Sequence, residues 1–135
     1  MLKTMDVSTS GLMAQRIRMM AIASNLANIT TMRNEDGELK PYEPRFTLFQ
    51  TVDGVGPNGS AGVMVREIVR DDIDPQRVFS PHHPDADENG YIYLPNINMM
   101  TEFTDAIESS RSYEANLGAM EITKSMMNQT LRIIT

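Results

Sequence analysis

Cysteine and tryptophan are both missing from this 135-residue chain, and its aromatic residues are few, four Phe and four Tyr. Without cysteine there is no disulfide framework, no thiolate nucleophile and no Cys-based metal site. Without bulky aromatics the apolar weight, 41% of residues, falls to aliphatics and to 12 methionines. Methionine is flexible and polarizable, and it serves either as filler of irregular core gaps or as the adaptable part of a surface that meets several partners. A long apolar run is also lacking. No stretch approaches the roughly 20 apolar residues of a membrane span. Arg16 and Arg18 interrupt the N-terminal region and Lys3 and Asp6 precede it, so a cleaved secretory signal is not expected. There is no basic excess either, the formal net charge being −6. Residues 1–33 carry four basic and one acidic residue (+3), residues 34–95 five and twelve (−7), and residues 96–135 three and five (−2). Nucleic-acid binding needs a basic face to neutralise phosphates, and the acidic middle argues against it.

The chain is equally poor in catalytic motifs. No serine stands in a G-x-S-x-G elbow, and the glycine-rich stretch 54–62 lacks the Gly-Lys-Ser/Thr ending that would hold a phosphate. Asp85-Ala-Asp-Glu-Asn-Gly90 matches the first half of a calcium loop, but Asn96 stands where the bidentate Glu of position 12 is required, and Pro81, Pro84 and Pro95 forbid the flanking helices. His82 and His83 are adjacent, so on an extended chain they point to opposite faces. No enzymatic activity, cofactor, metal or small-molecule substrate is expected. A metal- or calcium-binding module on loop 82–96 remains the alternative among binding functions, and a helical adaptor or chaperone forming a small closed oligomer the alternative among interaction functions.

What is present is periodicity. Met99, Phe103, Ala106, Ser110, Tyr113, Leu117, Met120, Lys124, Met127, Leu131 and Ile134 follow one another at alternating gaps of four and three, the seam of a helix packed along another helix. Proline is absent from these 36 residues, so the helix would be about 54 Å long, against a radius of gyration of about 14 Å for a globule of this length. Asn98 is a plausible N-cap, and Glu108–Arg111 and Glu121–Lys124 have the spacing of ion pairs on one helix face. A second apolar line, Ala115, Ala119, Ile122, Met126 and Ile133, runs beside the seam. Either the N-terminal helix is wide enough to cover both lines or further neighbours are needed.

Residues 4–29 read as an amphipathic helix, with Leu12, Met19 and Leu26 seven apart and Ile22 and Ile29 at the partner position of the repeat. Gly11, in a cluster of small residues, would allow another helix to come close. The middle holds all seven prolines and six of the eight glycines. Strands are expected at 45–52 and 63–69, joined by a loop at 53–62, with short strands within 73–79 and 91–94; residues 75–95 should be weakly ordered without a partner. The expected fold is mainly α with a β-rich insertion: long N- and C-terminal helices pair as an antiparallel α-helical coiled coil, with a Pro/Gly-rich β segment between them. Three segments follow: 1–33, the N-terminal helix; 34–95, the β-rich middle; and 96–135, the C-terminal helix.

The stretch Ser10-Gly-Leu-Met-Ala-Gln-Arg-Ile-Arg-Met-Met-Ala-Ile-Ala-Ser-Asn-Leu-Ala-Asn-Ile-Thr-Thr31, with its Asn-Leu-Ala-Asn core, resembles the opening helix of the rod and hook axial proteins of bacterial flagella. His83-Pro-Asp-Ala-Asp-Glu-Asn-Gly-Tyr91, Leu94-Pro-Asn-Ile-Asn98 and Arg111-Ser-Tyr-Glu-Ala-Asn116 are similar to the proximal-rod branch of that family, in order and over essentially the whole chain. Ile29 and Met32 depart from it, standing where the family is commonly smaller or more polar. The resemblance implies a structural subunit of the flagellar rod that transmits torque. It implies export through the flagellar type III apparatus without a cleaved signal, and assembly in the periplasmic space with copies of itself and other rod proteins. The terminal helices would form the inner packing layer around a channel. The expected assembly interface is Leu12, Met19, Ile22, Asn25, Leu26 and Asn28 on the first helix. On the second it is Phe103, Tyr113, Leu117, Met120, Ile122, Met126, Met127, Leu131, Ile133 and Ile134.

Overall fold

The computed structural model describes residues 2–55 and 59–134. Helix α1, Leu2–Ala27, leads through an irregular segment into the hairpin of β1, Arg45–Val55, and β2, Ser60–Arg70. A smaller hairpin, β3, Gln76–Phe79, with β4, Tyr91–Leu94, precedes α2, Met99–Ile134. Among the described residues no helix is long and apolar enough to cross a membrane.

Local chemistry sets the helix ends. Asn98 Oδ1 accepts from the N–H of Met100 at 3.0 Å and of Thr101 at 3.3 Å, so it is the N-cap of α2. At the end of α1 the Asn28 amide donates to Ser24 O at 2.8 Å and accepts from the Thr31 hydroxyl at 3.1 Å, turning the chain out of the helix. The β1–β2 hairpin is antiparallel, from Arg45 opposite Arg70 to Val55 opposite Ser60, with irregularities between Leu48 and Phe49 and between Val52 and Val55. Strand pairing therefore runs further into the expected loop than the glycines suggested; residues 56–58 of that loop lie outside the described residues.

The segment 75–95, expected to be weakly ordered, is a hydrogen-bonded hairpin. Asp87 Oδ1 accepts from the N–H of Asn89 at 2.9 Å and of Tyr91 at 2.8 Å, and Gly90 takes a positive φ of 79° at the turn. These bonds hold the Asp87 carboxyl below its usual range. The Phe79 and Tyr91 rings meet edge-on with centroids 5.1 Å apart, and the Arg77 guanidinium lies 3.7 Å from the Tyr91 centroid. The Arg33–Asp85 ion pair ties this hairpin back to the segment after α1.

The helices run antiparallel. Asn25 meets Glu102, Arg18 meets Asp105 and Glu108, Gln15 meets Ser109, and Thr9 meets Met120. The β1–β2 hairpin lies across one side of this pair, where Ser10 Oγ accepts from Val63 N–H at 3.1 Å. The core is thin. Ala14, Ala21, Ile22 and Ile92 are the buried hydrophobic residues among those described.

Candidate assembly interface

The contact between α1 and α2 is made of small and polar side chains. On α2 the inward line is Glu102, Ala106, Ser109, Tyr113, Asn116, Met120, Thr123 and Met127, with Ser109 fully buried and Thr123 nearly so. It keeps the expected gaps of four and three and shares Ala106, Tyr113, Met120 and Met127 with the expected seam. At every other position it runs one residue earlier. Glu102, Ser109, Asn116 and Thr123 turn inward, while Phe103, Leu117 and Lys124 are exposed and Ser110 is half-buried. The polar contact on this line is made by Ser109 in place of Ser110: its hydroxyl donates to the Gln15 backbone carbonyl at 3.1 Å and lies 2.9 Å from Gln15 Oε1. Likewise Glu108 reaches Arg18 at 3.5 Å instead of its expected helix neighbour Arg111.

This shift has a physical cause in α1. A Cβ on Gly11 would stand 2.9 Å from Asn116 Nδ2, so α1 packs directly against that side chain and leaves no room there for a large one. Ser8, Gly11, Gln15, Arg18, Ile22 and Asn25 follow at gaps of three and four on the face toward α2. Ser10, Ala14 and Ala21 turn toward the hairpin, beside cavities lined by Phe49 and Val63 and by Phe46 and Thr47. Close approach selects small residues, and their hydroxyls and amides then need partners, which these pairings provide.

Asn25, only 3% exposed, is the hub of the fold. Its amide donates to Arg45 O at 2.8 Å and its Oδ1 accepts from Arg45 N–H at 2.8 Å and from the Tyr42 hydroxyl at 3.2 Å. One side-chain amide thus imitates a neighbouring strand for the first residue of β1. The same Nδ2 lies 3.3 Å from both carboxylate oxygens of Glu102, so α1, β1 and α2 meet at this residue. Burial raises the Glu102 carboxyl above its usual range; the Asn25 hydrogen bond opposes this and the nearby Asp105 charge adds to it.

The residues expected at an assembly interface take varied positions. Ile22 and Asn25 are buried within the chain, and Leu12, Met19, Leu26, Asn28, Tyr113, Met120 and Met127 are half-buried. Phe103 is 50% exposed, Ile122 64% and Ile133 85%; Leu117, Met126 and Leu131 are exposed too, and the side chain of Ile134 lies outside the described residues. Met13, Met20, Met100 and Ile107, none of them on the expected list, are also exposed. Periodicity weighted by hydrophobicity overlooks Ser8, Gln15, Glu102, Ser109, Asn116 and Thr123. A search for small or amide residues recurring on one helix face, at gaps of three, four or seven, would have found all of these but Glu102.

The surface is too large for a molecule of this size. It measures 9518 Å², whereas a compact monomer of 15.2 kDa exposes about 7100 Å². The excess of about 2400 Å² is three times the roughly 800 Å² that each partner contributes to a standard interface. Among the described residues no group of three or more His, Asp or Glu is placed to hold a metal ion, and two of the three acids of loop 82–96 are engaged, Asp87 with the turn and Asp85 with Arg33.

Two long terminal helices, a thin core and many large apolar side chains in solvent are the features an assembly subunit requires. Comparison with known proteins gives the family. The family described as "Flagella basal body rod protein" matches residues 5–33, and that described as "Flagellar basal body rod FlgEFG protein C-terminal" matches residues 88–133. Flagellar basal-body rod protein FlgC of Bacillus subtilis is 39% identical, over 96% of this chain and 95% of its own length. The FlgC proteins of Aquifex aeolicus (41% identical, 93% of this chain, 91% of its own) and Salmonella typhimurium (35%, 98% and 97%) are similar. The chain belongs to the flagellar basal-body rod proteins of the FlgC type.

Proposed function

We propose that this chain is a structural subunit of the proximal rod of the bacterial flagellar basal body. It assembles through its terminal helices, paired as an antiparallel coiled coil, into a helical tube that transmits torque. Its partners are other copies of itself and other rod proteins, and it reaches the periplasmic space through the flagellar type III export apparatus without loss of a signal peptide. Its role is mechanical, and no catalysis is assigned to it. The observation that carries this reading is the surface excess of about 2400 Å² together with large apolar side chains, Met13, Met20, Phe103 and Ile122 among them, standing in solvent on both helices. Open rather than closed assembly follows from contacts between unlike faces, which generate helices when the rotation between subunits does not close a ring.

The test is incorporation. An epitope-tagged full-length chain, expressed in its own flagellated host lacking the untagged gene, should co-purify with isolated basal bodies and restore motility. A motile strain with complete rods in the absence of the chain refutes the proposal.

A further inference from the structure

The exposed apolar residues of α2 form two strips on opposite sides of the helix pair and at opposite ends of α2. Successive residues of an α-helix are turned by about 100°. Asp105 and Asn116 mark the side carrying the β1–β2 hairpin, since they line cavities together with Phe46 and Phe49 and with Phe49 and Val63. Measured from Ser109 on the inward line, Asp105 and Asn116 are turned about 40° and 20° one way, whereas Leu117 and Phe103 are turned about 80° and 120° the other way. They therefore belong to the opposite side, with Met99 and Ile107 near them, all exposed. Ala115, Ala119, Ile122, Met126 and Ile133 lie on the hairpin side, and their strip begins where the hairpin's contact with Asn116 ends.

Charge follows the reverse pattern. The side of Phe103 is free of charge from Met99 to Tyr113 and then carries Glu114, Glu121, Lys124 and Arg132. The hairpin side carries Asp105, Glu108 and Arg111 in the first half and is uncharged from Ala115 to Ile133. Two copies packed side by side at equal height would press Phe103 and Ile107 against Glu108 and Arg111, desolvating charges on an apolar surface. A slide of 18 residues, five whole turns and about 27 Å, keeps the angular phase and brings apolar strip to apolar strip.

We infer that the occupant of the Phe103 strip is a second copy of this chain, displaced along the helix axis by about 27 Å, so that Phe103 faces Ile122 and Ile107 faces Met126. This rests on the rod-subunit function proposed above and deepens it by naming which face meets which. The contact joins unlike strips and leaves one free strip on each copy, of opposite kinds, so it propagates and does not end at a dimer.

Disulfide trapping tests it, because the chain has no cysteine of its own. Two differently tagged full-length versions are co-expressed, one bearing Phe103→Cys and the other Ile122→Cys, and isolated basal bodies are oxidised. Both sites are on one helix about 28 Å apart, too far for a bond within one chain. The mixed 103–122 disulfide should exceed by at least tenfold the disulfide from the equal-height pair Phe103→Cys with Thr104→Cys, and Ile107→Cys with Met126→Cys should behave alike as an independent pair. Basal bodies that contain the chain but give the equal-height product, the 103–103 product, or neither staggered product overturn the inference while leaving the rod function standing. Basal bodies that do not contain the chain overturn both.

Discussion

Replacing Asn25 with alanine removes the one side chain that joins α1, β1 and α2. Its amide is paired with the N–H and the carbonyl of Arg45, each at 2.8 Å, and with the Tyr42 hydroxyl at 3.2 Å. Each such bond is worth about 1 kcal/mol net, and buried partners left without one cost more, so the loss should be about 3 kcal/mol. Against a total stability of roughly 5–15 kcal/mol this is a large fraction. Urea unfolding of the full chain, followed by far-ultraviolet circular dichroism at low protein concentration, measures it as a lower midpoint at unchanged slope. Asn25→Asp separates the hydrogen-bond account from simple loss of packing. An aspartate keeps the acceptor for Arg45 N–H and Tyr42 but cannot donate to Arg45 O, and its charge would stand beside the Glu102 carboxylate, now 3.3 Å from Nδ2. Asn25→Asp should therefore be much less stable at pH 7 than near pH 4, relative to the natural chain, whereas Asn25→Ala, which removes only the hydrogen bond opposing the rise at Glu102, should add a smaller pH dependence of the same sign. An alanine variant within 0.5 kcal/mol of the natural chain, or an aspartate variant indifferent to pH, refutes the hub role.

Glu102 has its carboxyl raised in the folded chain, so the folded state holds its proton longer, and the stability contributed is present below the usual carboxylate range and lost as pH rises through the raised value. Glu102→Gln should remove that decline, seen by comparing urea midpoints across the window just above the usual Glu pKa. Asp87 is shifted the other way; its contribution is present above the usual aspartate range and fades as pH falls toward the lowered value, so Asp87→Asn should flatten the acid limb as read by loss of amide protection in the β3–β4 hairpin. Gly11→Ala gains about 1 kcal/mol of helix propensity but forces Asn116 aside, from 2.9 Å; the double variant with Asn116→Ala should recover that gain, and a purely additive cycle would contradict the close contact. Met13→Glu and Phe103→Glu alter side chains that are 65% and 50% exposed. Each should shift monomer stability by no more than about 0.5 kcal/mol while reducing incorporation into basal bodies at least tenfold.

The elements of this chain were legible from local pattern. An unbroken period without proline marks α2 from Met99 to Ile134, Asn98 is its cap, and β-branched runs mark the strands at Arg45 and beyond. These features depend on residues a few positions apart, and a linear reading captures them. The phase of the α1–α2 contact was not legible in that way. A sequence shows that Phe103, Leu117 and Ile122 are apolar but not whether each will be covered by its own chain or by another. Here Gly11 packs directly against the Asn116 side chain, and Ser109, Asn116 and Thr123 alternate with Ala106, Tyr113, Met120 and Met127 on the inner line, while Phe103, Leu117 and Ile122 stand exposed on the flanks. The role of Asn25 is likewise tertiary, since its partners at Tyr42, Arg45 and Glu102 are brought to it by the fold. The sequence by itself thus determined the helices, the strands and the family. Which apolar residues stay in solvent was decided by the spacing between two helices, a distance that no local pattern encodes.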